Sequence, residues 1–193
     1  MVMTKNIMIV GVGGQGSLLA SRILGNAVLL QNYDVKVSEV HGMSQRGGSV
    51  VTYVKYGQSV ASPVICKGEA DVIMSFELLE AARWLPYLKP DGVVITNTQQ
   101  INPMPVVTGA AEYPTDLVAK MQATGAKVIA ADALAIAREA GSEKAVNVAL
   151  IGMAAHALGI DDETLREAVR MSVPEKFLEL NLKAFDLGAS HSA

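Results

Sequence analysis

A short apolar strand that runs directly into a cluster of glycines constrains the fold of this chain most strongly. Residues 7–10 read Ile-Met-Ile-Val, and the next six, Gly11 to Gly16, read Gly-Val-Gly-Gly-Gln-Gly. The apolar run is typical of a parallel strand buried on both faces. The residues from Gln15 to Leu30 then have the apolar periodicity of a helix. A strand, a GxGxxG turn and a helix in this order predict the first unit of a nucleotide-binding α/β sheet.

The rest of the chain alternates between strand and helix patterns up to about residue 141 and is helical beyond it. We predict helices over 78–85, over a segment that begins after Thr115 and ends near Gly125, and between Asp132 and Gly141. A turn is expected at 89–92. The fold class is therefore α/β: a Rossmann-like, mainly parallel sheet with helices on both faces and a helical C-terminal portion. One domain, 1–193, is expected, with about 1–141 as the α/β part and 142–193 as the helical part. The further predicted strands are 35–37, 49–56, 70–75, 93–97 and 127–130.

Composition excludes several classes of function. The chain has 193 residues, one cysteine and a formal charge of -3, so nucleic acid is not an expected partner. The lone Cys66 rules out an internal disulfide, and it cannot supply the roughly four thiolates of an iron–sulfur cluster. The longest apolar run, 145–158, is shorter than the about 20 residues of a membrane span. We expect a soluble, cytoplasmic protein.

The glycine loop itself predicts an anion site. Gly11 would permit the tight turn, Gly13 would let a phosphate approach the backbone, and Gly16 would let helix and strand pack closely. The amides at Gly14 and Gln15 open the helix and would attract negative charge. Glu39 ends the second strand, roughly where an acid binds a ribose hydroxyl in such folds. The alternative is that the glycines only build the turn.

The segment after Glu39 is unusual for a ribose-binding position. It reads His41-Gly42-Met43-Ser44-Gln45-Arg46-Gly47-Gly48. Arg46 with the amides of Gly47 and Gly48 could hold a phosphate of coenzyme A or of a nucleotide. Alternatively, His41, Gln45 and Arg46 could contact another subunit, where the glycines permit close approach. A third interpretation is local: a packed histidine and a flexible turn.

Together the segments 11–16 and 38–51 resemble the gamma-type subunits of 2-oxoacid:ferredoxin oxidoreductases. The match is closest to the small (beta) subunits of the indolepyruvate-specific enzymes, and it extends over essentially the whole chain. The HGxSQRGG block at 41–48 is its most specific part. Further matching segments are 62–63, 68–71, 88–90, 97–98, 145–148, 173–177 and 181–185.

The resemblance implies a reaction in which an aryl 2-oxoacid and coenzyme A give an acyl-CoA and carbon dioxide, with electrons passing to ferredoxin. It also implies that thiamine diphosphate, magnesium, 4Fe-4S clusters and coenzyme A belong to a large catalytic subunit. This chain would be an accessory subunit with no catalytic residue, no metal site and no activity alone, and it could be a homodimer when isolated. The alternative is a free-standing NAD(P)- or flavin-dependent oxidoreductase that uses Gly11–Gly16 and Glu39. A pure scaffold with a vestigial nucleotide fold is the third possibility.

The last helix supplies a second candidate for the partner interface. After Pro174 one apolar stripe, 177-180-184-187, would dock on the parent domain. A second stripe would be exposed in a monomer and available to the large subunit, unless the helix is sunk between other elements. The predicted interface residues here are Phe177, Leu178, Leu182 and Phe185.

Overall fold

A six-stranded sheet with helices on both faces forms the body of the protein. The computed structural model describes residues 4–39 and 43–191. The strands are β1 (Lys5–Val12), β2 (Asp34–Glu39), β3 (Ser49–Gly57), β4 (Ala70–Ser75), β5 (Leu88–Asn97) and β6 (Lys127–Ala131). The helices are α1 (Ser17–Leu30), α2 (Leu78–Trp84), α3 (Met104–Val107), α4 (Leu117–Ala123), α5 (Ala133–Ala140), α6 (Val146–Leu158), α7 (Asp162–Ser172) and α8 (Leu178–Ala189).

The strand order is β2-β3-β1-β4-β5-β6, and it confirms a mainly parallel sheet with one antiparallel insertion. β1, β4, β5 and β6 pair in parallel, whereas β3 runs antiparallel to both β1 and β2. The segment between β2 and β3 is too short for a crossover, which needs about a dozen residues, so the two strands form a hairpin. β2 is thereby moved to the edge, two strands away from β1.

The chain after β1 and the chain after β4 leave the sheet on opposite faces. α1, α5, α6, α7 and α8 share one apolar core, and α2 and α4 share the other. The point between β1 and β4 is therefore a topological switch point, the position where open α/β sheets usually bind ligands. The glycine loop lies at this point, at the carboxyl end of β1.

α8 packs tightly against α6, which corrects part of the predicted C-terminal interface. A Cβ atom on Gly188 would lie 2.1 Å from the Ala149 carbonyl oxygen, and one on Gly152 would lie 2.2 Å from the Phe185 carbonyl oxygen. Phe185 is wholly buried, so its predicted exposure is wrong. Most of the residues of α6 are apolar and buried, so it needs cover on several sides, and α8 provides part of that cover.

The remaining members of the predicted stripe differ from Phe185. Leu178 and Leu182 are half-buried against the same core, and Phe177 is 47% exposed beside Lys176. Of the four predicted interface residues only Phe177, directly before α8, has an exposed side chain. Whether that side chain contacts a partner stays a prediction.

Capping residues decide where the shorter elements begin and end. Asp132 accepts a hydrogen bond from the Ala135 amide and Gly141 ends α5 at a φ of 122°, as predicted. α4 follows Asp116 rather than Thr115. The segment 89–92, predicted as a turn, belongs to β5. This strand already pairs with β4 at Leu88, opposite Ala70, and the register of the two strands is irregular between Ala70 and Val72.

Candidate functional site

The glycine loop turns the chain sharply from β1 into α1. Gly14 and Gly16 have φ angles of 98° and 91°, in the left-handed region that favours glycine. A Cβ on Gly11 would lie 2.8 Å from Gln15 Oε1 and 3.0 Å from Phe76 Cβ. The tight fit at Gly11 and the left-handed conformation of Gly14 and Gly16 agree with the predicted turn. The predicted packing of Gly16 against the strand differs from the structure, because the atoms nearest to its missing Cβ belong to Asn147 of α6.

Gln15 fills the crevice at the switch point with its own side chain. Its Oε1 accepts a hydrogen bond from the Val12 amide (2.7 Å), and its Nε2 donates to the Phe76 carbonyl (3.1 Å) and to Gln99 Oε1 (3.2 Å). Asn97 extends the network, since its Nδ2 also donates to the Phe76 carbonyl. The amide network thus occupies the space over the strand ends where a dinucleotide would cross the sheet.

A backbone hydrogen bond ties the glycine loop to the loop before β3. The Gly13 amide donates to the Gly48 carbonyl (2.9 Å), and the Gly48 amide donates to the Ser44 carbonyl (2.9 Å). Gly47 has a φ of 98°, and a Cβ on Gly48 would lie 2.9 Å from Ser44 Cα. Both glycines are thus required by the turn itself, as the local interpretation of this segment expects.

The structure places the other predicted site residues at different positions. Arg46 ends a short 3-10 turn, Met43–Arg46, and is exposed. Glu39 lies at the same sheet edge as the glycine loop but two strands away, where its Oε1 accepts a hydrogen bond from Ser21 Oγ (2.7 Å). His41 and the side chain of Gln45 lie outside the described residues.

Two buried carboxylates lie behind this loop, and the sequence analysis missed both. Glu77 caps α2: its Oε2 accepts from the Glu80 amide (2.8 Å), and its Oε1 accepts from the Ile101 amide (3.0 Å) and from the Tyr113 hydroxyl (2.5 Å). Burial and the hydrogen bond to Glu77 raise the pKa of Tyr113 well above its usual range. A pair of acids three residues apart, directly after an apolar strand, was the available signal.

Glu80 connects α2 to the end of the glycine-rich segment. Its Oε2 accepts hydrogen bonds from Ser49 Oγ (2.5 Å) and Trp84 Nε1 (3.3 Å), and its Oε1 accepts from Arg83 Nε (3.0 Å). Only 4% of Glu80 is exposed. Each of the four carboxylate oxygens therefore accepts at least one hydrogen bond, and the geometry is that of groups that position the loop.

Three cavities surround the glycine loop. One of about 330 Å³ lies against the start of β3, and one of about 230 Å³ lies toward Glu77 and Glu80. The third, about 500 Å³, lies between the loop and the start of α6, and we call it the α6 cavity. Its lining comprises Gly14, Gln15, Gly16, Gln99, Ile101, Leu134, Glu143, Lys144, Val146 and Asn147.

A fourth depression, the α1–β2 groove, runs between α1 and the edge strand. Its volume is about 360 Å³. Its apolar lining includes Leu18, Leu29 and Val37, which are 46%, 56% and 41% exposed. Leu18 also lines the cavity at the start of β3, so the groove is continuous with the glycine loop.

Side chains that commonly bind metal ions do not cluster in the described part of the chain. Over 4–39 and 43–191 no three His, Cys, Asp or Glu side chains come together as a ligand group. Over the same ranges no helix has the length and apolarity that a membrane crossing requires.

Comparisons with known proteins agree with the geometry. A family model described as "Pyruvate ferredoxin/flavodoxin oxidoreductase" matches residues 6–191. The chain is 47% identical over 188 residues to indolepyruvate oxidoreductase subunit IorB of Thermococcus kodakarensis, covering 95% of this chain and 93% of that protein. This match confirms the resemblance inferred from the 41–48 block.

Solved structures extend the comparison to the fold. Pyruvate oxidoreductase subunit PORC of Thermotoga maritima matches with a TM-score of 0.74 at 20% identity, over 97% of this chain and 96% of that chain. A 2-oxoglutarate:ferredoxin oxidoreductase of Magnetococcus marinus matches with a TM-score of 0.73 at 19% identity, over 98% of this chain but 31% of that chain. The same fold thus occurs both as a separate subunit and as one part of a longer chain. The chain belongs to the pyruvate ferredoxin/flavodoxin oxidoreductase family.

Proposed function

We propose that this chain is the accessory subunit of an indolepyruvate:ferredoxin oxidoreductase. The complex would convert indolepyruvate and coenzyme A to an arylacetyl-CoA and carbon dioxide, with ferredoxin as the electron acceptor. The observation that carries this proposal is the 47% identity to an IorB subunit across nearly the full length of both chains. The chemistry would be performed by the large subunit, and ferredoxin would be reached through the complex.

The chain's own side chains do not fit the cofactors that this reaction requires. Cys66 is the single cysteine and is exposed, whereas a 4Fe-4S cluster needs about four thiolates. The carboxylates of Glu77 and Glu80 already accept hydrogen bonds on both oxygens, and within the described residues neither belongs to a group of three side chains that could hold magnesium. Thiamine diphosphate, magnesium, the clusters and the reacting end of coenzyme A are therefore assigned to the large subunit.

The proposed docking face for the large subunit consists of the glycine-rich segment before β3 and the adjoining α1–β2 groove. Gly13–Gly48 and Ser49–Glu80 hydrogen bonds hold the glycine-rich segment from behind and leave Arg46 outward. The α1–β2 groove continues this face with exposed Leu18 and Val37. The groove combines these exposed apolar side chains with Arg22, and arginine is a residue type that is enriched at subunit contacts.

The free-standing dehydrogenase is the competing function, and three contacts weigh against it. The Gly13 amide is already bonded to Gly48, Gln15 fills the crevice, and Glu39 is bonded to Ser21 two strands away from β1. A dinucleotide would have to displace all three. The accessory role requires none of these changes.

Reconstitution with the large subunit tests the proposal directly. We expect the purified chain to oxidise no aryl 2-oxoacid, and the two subunits together to reduce ferredoxin when indolepyruvate and coenzyme A are supplied. Decarboxylation by this chain alone, or full activity of the large subunit without it, contradicts the proposal. Pyruvate, 2-oxoglutarate and a branched-chain 2-oxoacid assayed in parallel identify the substrate.

Arg46→Ala separates the two roles proposed for the glycine-rich segment. Lost co-purification with the large subunit supports the interface. Intact assembly with a raised KM for coenzyme A supports the anion site instead. Unchanged assembly and unchanged KM leave only the local role of Gly47 and Gly48 in the turn.

A further inference from the structure

The connection between β5 and α4 carries the two most exposed large apolar side chains in the described part of the chain. Met104 is 69% exposed and Val107 is 63% exposed. We call residues 102–112 the β5–α4 arm, and none of them is buried. We propose that this arm is a second contact with the large subunit and that the carboxylate of Glu77 positions it. The inference rests on the proposed function, because it names a further part of the surface that meets the same partner.

Glu77 holds the arm against the body of the protein at both ends. Its Oε1 accepts a hydrogen bond from the Ile101 amide (3.0 Å), directly before the arm, and one from the Tyr113 hydroxyl (2.5 Å), directly after it. The Tyr113 hydroxyl in turn accepts a hydrogen bond from the Leu79 amide of α2 (3.0 Å). Glu77 itself is only 1% exposed. One buried carboxylate therefore fixes both ends of the arm beside α2.

Hydrogen bonds within the arm keep it in one conformation. The Val107 amide donates to the Pro103 carbonyl (3.0 Å), and the amides of Ala110 and Ala111 both donate to the Pro105 carbonyl (2.8 and 3.0 Å). The two prolines restrict the backbone further, because the ring fixes their φ angles. Ordering a loop on binding costs free energy, and an arm that is already ordered avoids that cost. A preformed structure that presents apolar side chains to solvent has the properties of an interaction surface.

The arm is continuous with the glycine-rich segment before β3. The cavity of about 230 Å³ lies between the two, and its lining includes Gly47 and Gly48 from the segment and Asn102 and Met104 from the arm. The proposed function assigns the glycine-rich segment to the large subunit, so the same partner would cover both walls of the cavity. The volume is below the range of small-molecule sites, about 300–1,000 Å³, and it suits a side chain of that partner better than a ligand.

The charges of this surface favour the large subunit over a second copy of the chain. Of the charged residues that line the cavity, Glu77 and Glu80 are buried and Arg83 is exposed. Arg46, in the glycine-rich segment, is also exposed, and the one acid of the arm, Glu112, does not line the cavity. A two-fold contact between copies would bring the same arginines together, and like charges repel. A partner with apolar side chains for the arm and carboxylates for the arginines is complementary.

Val107→Glu tests the arm as a contact. The charge would lie on its exposed apolar surface, so we expect at least tenfold weaker affinity between the two purified subunits. Val64→Glu is the matched control, because Val64 is 55% exposed in the loop between β3 and β4 and should tolerate the same substitution without loss of affinity. Met104→Glu is the second variant of the arm. It decides the outcome if circular dichroism shows that Val107→Glu is not folded.

Tyr113→Phe tests the positioning role of Glu77. It removes the hydroxyl that joins the arm to Glu77, and it leaves the exposed apolar side chains and the cap of α2 unchanged. We expect faster amide hydrogen exchange over 102–112 in the isolated chain and severalfold weaker affinity for the large subunit. Tyr87→Phe is the control, since Tyr87 follows α2 whereas Glu77 precedes it, and it should change neither quantity. Affinity equal to that of the parent chain would overturn the positioning role.

Hydrogen exchange of the assembled complex measures the contact directly. We expect the large subunit to protect residues 102–112 and to leave the loop around Val64 unprotected. If the parent chain does not bind the large subunit, the proposed function fails. If the parent binds and both Val107→Glu and Met104→Glu bind equally well, only this inference is overturned. A homodimer that Val107→Glu dissociates, with unchanged affinity for the large subunit, assigns the arm to a second copy and overturns it as well.

Discussion

Glycines lie within helices at two places in the described part of the chain, with opposite surroundings. At the α6–α8 contact, Gly152 and Gly188 each face the backbone of the opposite helix so closely that a Cβ would overlap it, at 2.2 and 2.1 Å. Gly25, in the middle of α1, lines the α1–β2 groove, and a Cβ there would meet no atom within 4 Å. The first pair is explained by packing inside the chain, and Gly25 is not.

We call the α6–α8 contact the closed face of the molecule and the α1–β2 groove its open face. A glycine inside a helix is less stable than alanine by about 1 kcal/mol, so a glycine with empty space around it needs another reason. Close approach of a partner subunit is the reason that the α1–β2 groove suggests, because Leu18, Leu29 and Val37 are exposed around it. The α6–α8 contact needs no partner.

The largest expected effect is that of Gly188→Ala. The added methyl group would overlap the Ala149 carbonyl, so α8 must move away from α6, and we expect a loss of about 3 kcal/mol or more in the free energy of unfolding. Urea unfolding of the purified chain measures it. Gly25→Ala is the matched control, since it makes the same change in another helix. Equal midpoints for the two variants contradict the distinction between the closed and the open face.

Val37→Glu tests the open face. The charge would lie in the groove that the large subunit is proposed to cover, so assembly should weaken at least tenfold, about 1.4 kcal/mol. Affinity between the two purified subunits is the measurement, with circular dichroism to show that the variant is folded. Val64→Glu is the control, because Val64 is 55% exposed in the loop between β3 and β4. Weakening by both variants, or by neither, argues against this groove as the interface.

The sequence predicted the open face less well than the elements around it. Local signals suffice for the glycine loop, for the Asp132 cap and for the succession of strands along the chain, because each depends on neighbouring residues. The position of Glu39 depends on β3 inserting between β1 and β2, which apolar alternation cannot show. The burial of Phe185 likewise depends on Gly152 and Gly188, two glycines 36 positions apart in sequence that meet in space.

The same limit applies to the candidate site. The glycine pattern predicted the turn, but not that the side chain of Gln15 would fill the crevice by bonding to Phe76 and Gln99. Those partners follow β4 and β5, and only the parallel register of the sheet brings them to Gln15. The position of Asn147 beside Gly16 depends on tertiary packing in the same way.

Tyr56→Phe measures how much one hydrogen bond between β3 of the sheet and α6 of the closed face contributes to the free energy of unfolding. The Tyr56 hydroxyl donates to the Leu158 carbonyl at the end of α6 (3.0 Å), and Phe cannot, so we expect a loss of about 1 kcal/mol. Burial, with a smaller contribution from the Asp71 charge, raises the pKa of Tyr56 from 10.0 to about 12.

The pH dependence of this difference has a definite sign. The neutral hydroxyl stabilises the fold below pH 10.0, and that stability is lost between pH 10.0 and about 12 as the unfolded tyrosine ionises first. Phenylalanine does not titrate, so the difference in the free energy of unfolding between the parent chain and Tyr56→Phe should become smaller over this pH range. Urea midpoints of both proteins at pH 8, 10 and 11.5, with each pH set to within about 0.1 unit, measure this difference. A gap that is constant with pH would mean that Tyr56 is not held neutral by burial.

Gly25→Ala has the smallest expected effect on stability, and it tests most directly whether a partner packs against the open face. The methyl group would enter empty space, and alanine favours the helix, so the isolated chain should gain about 0.5–1 kcal/mol in stability. If the large subunit packs onto α1 at this position, the same methyl group should weaken assembly severalfold. Unfolding of the chain and affinity for the large subunit are therefore measured on one variant. Ala27→Gly is the reverse substitution at a position of the same helix that packs in the hydrophobic core. A stabilised chain with unchanged affinity would show that no partner approaches Gly25, and the docking face would then be confined to the glycine-rich segment around Arg46.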